Sequence, residues 1–289
     1  MRLFIILALC ASSVFSELVI RNEKTLVNDE TYKKLVYYAS FPIFTGAIGN
    51  GTACSHPENG AELVQYFSIN STDTQAALWK STSTKELILS IPGTSGLQDI
   101  FTDLELSLVA YESPRVNCTG DCKVHQGLLN AWNSLEPAAT KAISDSLRAN
   151  PGYNTILSGH SLGAGIAGVA FASLKNGPYR LTEAYTYGQP RTGNQEFADY
   201  VDRISGASDA APGCLYRVTH FNDGIPQLPP TLLGYRHSRT EYWESATVAN
   251  ESSTYQCDGQ EPSDCNNSVF GLGSNAAHTS YAGFNVACA

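Results

Sequence analysis

The sequence predicts one α/β domain built on a mostly parallel central sheet. Three observations carry that expectation. In the second half, "NTILSG", "EAYTYG" and "CLYRVTHF" read as strands and alternate with the helical stretches "SLGAGIAGVAFASLKNG" and "GNQEFADYVDRI"; strands separated by helices imply parallel crossover units. The 289 residues are 43% apolar and only 16% charged, enough for one sizeable core. No repeat or low-complexity linker divides the chain.

In chain order, "MRLFIILALCASSVFS" has one arginine, an apolar run from Leu3 to Leu9, and Val14 and Ser16 at the −3 and −1 positions of a secretory signal cleaved after Ser16. The expected organisation is a signal over 1–16, an N-terminal segment or short propeptide over 17–30, and the α/β domain over 31–289. No later stretch reaches about 18 continuous apolar residues, so no integral membrane association is expected and the protein is read as extracellular. From Asp29 to about Phe44, Leu35, Val36, Tyr38 and Ala39 suggest a helix. "LVQYFSI", "AALWKST", "ELILSIPG" and "LELSLVAY" read as strands between Ser/Thr turns. A long helix follows in "VHQGLLNAWNSLEPAATKAISDSLRANPG", where Leu128, Leu129, Trp132, Leu135, Ala139, Ile143 and Leu147 keep near-helical spacing up to a Pro-Gly stop. After the alternating half comes a last strand in "TEYWES".

The formal net charge of −9 and the absence of basic runs argue against nucleic acid, or an anionic membrane surface, as a partner held by charge. Asn50, Asn70, Asn117, Asn250 and Asn266 each begin an N-x-S/T sequon, which agrees with secretion. Cys10 leaves with the signal; the remaining Cys54, Cys118, Cys122, Cys214, Cys257, Cys265 and Cys288 are odd in number, so at least one has no partner within the chain. No C-x-x-C or histidine pair accompanies them, so no metal is expected.

The chemistry centres on "GHSLG". A chain with this much glycine and serine would show G-x-S-x-G by chance about 0.2 times, so context must decide. Here a buried-type strand precedes Ser161 and a small-residue helix follows it, the setting of a nucleophile elbow. An ordinary helix N-cap serine is the alternative. A nucleophilic serine needs a base, and the base an orienting acid. Of the later histidines, His220 and His237 lie in or beside strands and read as hydrogen-bonded structural groups; His278 follows a Gly/Ser/Asn-rich loop near the C-terminus, where a base belongs. Asp223 stands at the end of an apolar strand, where α/β sites gather. Asp199, Asp202 and Asp209 read as a solvated face.

The motifs "SIPGT", "VHQGLLNAW", "GHSLGAG", "YGQPRTGN", "YRVTHFNDGIPQLPP", "EYW" and "AHTSYAG" occur in this order. From Thr31 to Cys288 the chain thereby resembles the secreted fungal class 3 lipases and their related feruloyl esterases. The resemblance implies an α/β-hydrolase fold with Ser161 as nucleophile, Asp223 as acid and His278 as base. It assigns the oxyanion hole to Thr94, through its N–H and hydroxyl, and to the N–H of Leu162. It pairs Cys54 with Cys288, Cys118 with Cys122 and Cys257 with Cys265, leaving Cys214 as a buried free thiol. Two departures stand out: Pro92 where the family carries a basic residue, and Ala164 where it often carries glycine.

After Thr94, residues Leu97, Ile100, Phe101 and Leu104 form an apolar helical face. In the resembling lipases this segment is a short helical lid; a helix packed permanently on the core is the alternative. Ile225, Leu228, Leu232 and Leu233 could line an acyl groove or simply pack around the nearby prolines. The expected function is a cofactor-independent, monomeric lipase acting on acylglycerols at a lipid–water interface. A feruloyl or other soluble-ester esterase, and a non-catalytic lipid-binding protein on the same fold, are the competing readings.

Overall fold

In the computed structural model, which describes residues 24–52, 54, 57, 59–94 and 106–285, the chain begins with β1 (Thr25–Leu26), α1 (Asp29–Gly49), β2 (Glu62–Ile69), β3 (Thr74–Ser81) and β4 (Glu86–Ile91). It continues through β5 (Leu108–Ala110), β6 (Lys123–His125), α2 (Gln126–Ala149), β7 (Asn154–His160), α3 (Leu162–Lys175), β8 (Leu181–Tyr187) and α4 (Gln195–Ser205). The remaining strands are β9 (Ala207–Ser208), β10 (Ala211–Pro212), β11 (Leu215–His220), β12 (Glu241–Glu244) and β13 (Thr254–Cys257). The signal residues 1–16 and the lid positions Leu97, Ile100, Phe101 and Leu104 lie outside the described residues.

Alternation along the strands sets the layering. On β4, Leu87, Leu89 and Ile91 enter one core with Leu128, Trp132 and Ile143 of α2 and Ile166 and Phe171 of α3, while Ile88 points the other way to Phe41 and Phe44 of α1 and to Trp79. Side chains two apart on a strand share a face, so a strand apolar at every position must be covered on both sides. The result is a nine-stranded sheet, order β1-β13-β12-β11-β8-β7-β4-β3-β2, between two helical layers. Its centre, β4, β7, β8, β11 and β12, is parallel; both flanks are antiparallel, so the sheet is mixed rather than parallel throughout.

Several sequence expectations are corrected. Of "LELSLVAY" only Leu108–Ala110 is strand among the described residues, and it pairs with β6 in a separate ribbon. α1 runs past Phe44 to Gly49 because Thr45 bonds back to the Phe41 carbonyl and receives the Trp79 indole N–H, tying the last turns to the sheet. Asp202 is not solvated: it is buried, accepting from the Arg239 N–H at 2.7 Å and from Gln260 at 2.8 Å. Strands β1 and β13, which build the far edge, were not expected.

Glu244, at the end of β12, is fully buried; Oε2 accepts from the Ala282 N–H at 3.2 Å, and Oε1 has no partner among the described residues. Burial pushes its carboxyl up from 4.5 to about 8. A folded-state value raised above the unfolded one stabilises the fold below about pH 4.5, and that contribution fades as pH rises through about 8. The gap corresponds to on the order of 5 kcal/mol, or roughly 10 °C or more in a chain this size. Melting temperature should therefore fall between pH 5 and 9, and Glu244→Gln, neutral throughout, should flatten the fall and melt higher than the wild type at pH 9. Parallel calorimetric pH series check this, and identical slopes would contradict it.

Candidate active site

Ser161 sits between β7 and α3 with φ 59 and ψ −123, a conformation that costs a non-glycine residue roughly 1–3 kcal/mol and persists only where its surroundings enforce it. Its N–H donates to Tyr187 O at 2.8 Å, and its carbonyl accepts from the Gly165 N–H at 3.1 Å. At Gly163 an added Cβ would lie 2.3 Å from the carbonyl oxygens of both Ile91 and Pro92, so glycine is what lets the loop leading to Thr94 approach the turn. Although Ser161 occupies the N-cap of α3, its side chain makes no capping bond. Instead Oγ lies 2.7 Å from His278 Nε2.

His278 is carried by a single 3-10 turn, Ala276–Thr279, capped by the Asn275 side chain, which accepts from the N–H of Ala277 at 3.0 Å and of His278 at 3.3 Å. The Asn275 amide also donates to Asn222 O at 2.7 Å, tying this turn to the loop after β11. That loop presents Asp223. Its Oδ2 is 2.8 Å from His278 Nδ1 and receives the Tyr281 hydroxyl at 2.5 Å, while Oδ1 receives the Ile225 N–H at 2.9 Å. An ionised carboxylate only accepts, so Nδ1 carries the ring proton and Nε2 is free to accept from the Ser161 hydroxyl. Gly188, at φ +61, leaves room for this pair: a Cβ there would stand 2.8 Å from His278 Cε1 and 3.0 Å from Asp223 Oδ2. Ser161, Asp223 and His278 are all buried.

The acid loop is held from outside as well. The buried Arg191 guanidinium forks onto Glu261 at 2.8 and 2.7 Å and donates to Gln227 O and Pro229 O. Burial alone would raise the Glu261 carboxyl, but Arg191 outweighs it and holds the group well below the usual carboxylate range. Asn266 donates to the carbonyls of Phe221 and Asp223 at 3.2 and 3.0 Å and is itself buried. Its amide is thus taken up by the fold, whereas Asn50, Asn70, Asn117 and Asn250 are exposed.

On the other side of Ser161, Gly93 is close enough that an added Cβ would lie 3.0 Å from the Ser161 Cβ, so the loop carrying Thr94 abuts the serine. A cavity of about 190 Å³ adjoins it, lined by Thr94, Leu162, Asn50, Thr74 and Gln75 among others. Leu162 begins α3, whose first N–H groups have no partner within the helix and point where negative charge is favoured. Of the groove candidates, Ile225 is buried, Leu228 half-buried, and Leu232 and Leu233 are exposed on a 3-10 turn instead of packing around the prolines.

Disulfides Cys118–Cys122 and Cys257–Cys265 are present. Cys54 is disulfide-bonded, and Cys288 lies outside the described residues. Cys214 is free but half-buried, not buried, because it precedes β11 at the end of the sheet. His220 and His237 are buried on carbonyl groups, His220 contacting Ala277 O and Ala246 O at 2.9 Å and His237 contacting Pro226 O at 2.8 Å. Tyr281 and Asn275 were missed by the sequence reading; the Asn three residues before a proposed base, in cap position, was the available signal.

Residues 88–233, which include Ser161 and Asp223, match the family model described as Lipase (class 3). A secreted mono- and diacylglycerol lipase 1 from Fusarium solani is 32% identical over 254 residues, covering 86% of this chain and 71% of the relative. A Rhizomucor miehei lipase is 30% identical over 269 residues, covering 90% of this chain and 69% of the relative. Among solved structures, the Lip2 lipase of Yarrowia lipolytica superposes with a TM-score of 0.79 at 26% identity, covering 90% of this chain and 96% of that one.

Proposed function

From the chain's membership of the class 3 lipase family, which makes it a carboxylic ester hydrolase of lipase type, we propose that Ser161, His278 and Asp223 perform acyl transfer to water. The observation that carries this reading is the continuous line from Ser161 Oγ through both nitrogens of His278 to Asp223. As Oγ attacks the acyl carbon, Nε2 takes its proton and Asp223 stabilises the imidazolium and its tautomer. The developing oxyanion rests on the N–H and hydroxyl of Thr94 and the N–H of Leu162. His278 then protonates the departing alcohol, and water repeats the cycle on the acyl-enzyme. A protein that only bound lipid would have no need of a buried, fully bonded triad.

The substrates are acylglycerols at a lipid–water interface. Of the seven large apolar side chains left exposed among the described residues, Leu232, Leu233, Phe270 and Leu272 lie on the segments after Asp223 and before His278. Gln227 holds those segments together by donating to Val269 O at 2.9 Å. Apolar surface on the loops that carry the acid and the base fits docking on neutral lipid, and the net charge of −9 disfavours an anionic one. The amphipathic run from Leu97 to Leu104, with Ile100 and Phe101, is proposed as the lid on its sequence pattern. Secretion is proposed on the signal pattern and on relatives named as secreted; no described helix is long and apolar enough to cross a membrane.

Initial rates on a short-chain triacylglycerol carried through its solubility limit, with methyl ferulate alongside, test the substrate class. The rate should jump when droplets appear. A smooth saturating curve with good methyl ferulate turnover would replace the interfacial reading with a soluble-ester esterase.

A further inference from the structure

His160 is the last residue of β7, immediately before the nucleophile, and the mechanism above leaves it without a part. Its ring touches the apparatus at three points. Nε2 lies 3.0 Å from the backbone carbonyl of His278. The ring lies against the His278 ring, with centroids 4.8 Å apart and planes at 31°. Nδ1 edges the oxyanion loop, 3.1 Å from where a Cβ on Gly93 would stand. Phe284, edge-on at 4.7 Å, and Tyr281, at 6.1 Å, close the remaining sides.

We propose that His160 is a positioning residue for the base: with its proton on Nε2, it holds the carbonyl of His278 and covers one face of the His278 ring, a constraint independent of Asp223. A carbonyl oxygen only accepts, so Nε2 must donate, which fixes the tautomer. The turn that carries His278 is four residues long, too short to hold a carbonyl in place by itself, and His160 supplies the anchor from a central strand. The stacking matters when chemistry begins. Once His278 holds the serine proton, a neutral aromatic face at this separation attracts the imidazolium, whereas a second cation would repel it. His160 meets that requirement: burial, and then the charge on His278, push its ring down to about 3, against the smaller opposing effects of its bond to the His278 carbonyl and of the Asp223 charge. The Asp223 side of the base fixes Nδ1; the His160 side fixes the backbone and the tilt of the ring.

This inference rests on the triad reading, and the experiment separates the two. His160→Phe keeps a ring face but has no donor, and His160→Gln places an amide N–H near the position of Nε2. On a soluble p-nitrophenyl ester, His160→Phe should lose about tenfold in kcat, the effect of one hydrogen bond at the base, with KM near wild type, and His160→Gln, which restores the donor without the ring face, should recover part of it. Wild-type kcat in His160→Phe, or equal losses in both variants that track their melting temperatures, would overturn the proposal. Ser161→Ala in the same series reports on the triad alone. Nitrogen NMR of the unsubstituted protein decides the matter even where a variant fails to fold: His160 should stay a neutral Nε2–H tautomer from pH 4 to 8, and a ring protonated on Nδ1 anywhere in that range contradicts the assignment.

Discussion

Ser161→Ala should lower kcat on every ester tested by roughly 10⁴-fold or more, while melting within a few degrees of the wild type. Both halves follow from the geometry. Among the described residues, Oγ is the group hydrogen-bonded to His278 Nε2, so removing it removes the proposed nucleophile and not merely a contact. The stability cost is small because the serine side chain caps nothing on α3, and alanine meets the same backbone strain at φ 59 as serine does. What is lost is one hydrogen bond to a histidine still oriented by Asp223 and Asn275. Initial rates with a soluble ester, together with calorimetry, read both. Turnover retained in a folded variant would remove Ser161 from the mechanism.

The parts legible in the sequence were those where a local pattern has one physical solution. Apolar runs such as "NTILSG" followed by the small-residue stretch after Ser161 can only be a doubly covered strand turning into a tightly packed helix, and β7 and α3 lie there. Asp223 could be preferred over Asp202 because the end of a central strand is where an α/β site gathers, though the burial of Asp202 was not foreseeable: its partners, Arg239 and Gln260, are far along the chain. The flanks of the sheet were illegible for a related reason. β1 has two residues and β13 four, too few to show periodicity, and each is a strand only because a neighbour supplies the ladder. Asn266 shows the limit of a motif: the tripeptide is a valid sequon, yet the Cys257–Cys265 bridge delivers this asparagine to the back of the acid loop, where its amide is consumed by two carbonyls. His160 and Tyr281 carry no sequence signal of their role, since each acts through a residue more than fifty positions away in the chain, or through a ring whose orientation only the fold decides.

Asp223→Asn should lower kcat by roughly 10⁴-fold without disturbing the backbone of the site. The substitution is nearly isosteric, and the amide oxygen can still accept from the Ile225 N–H where Oδ1 does now. The amide nitrogen then replaces Oδ2, facing His278 Nδ1 and the Tyr281 hydroxyl. An NH₂ group can only donate toward Nδ1, so the histidine proton is driven to Nε2, where it points at Ser161 and blocks acceptance of the hydroxyl proton. The imidazolium formed in the transition state also loses the carboxylate that hydrogen-bonds it. The loss should therefore fall on kcat and on the rate of fluorophosphonate labelling alike, because both need Ser161 deprotonated as it attacks, and KM should barely move. Measuring labelling separately from turnover distinguishes this from a defect in product release. A variant that labels and turns over within tenfold of the wild type would mean that another acceptor orients His278, and that Asp223 only braces the loop.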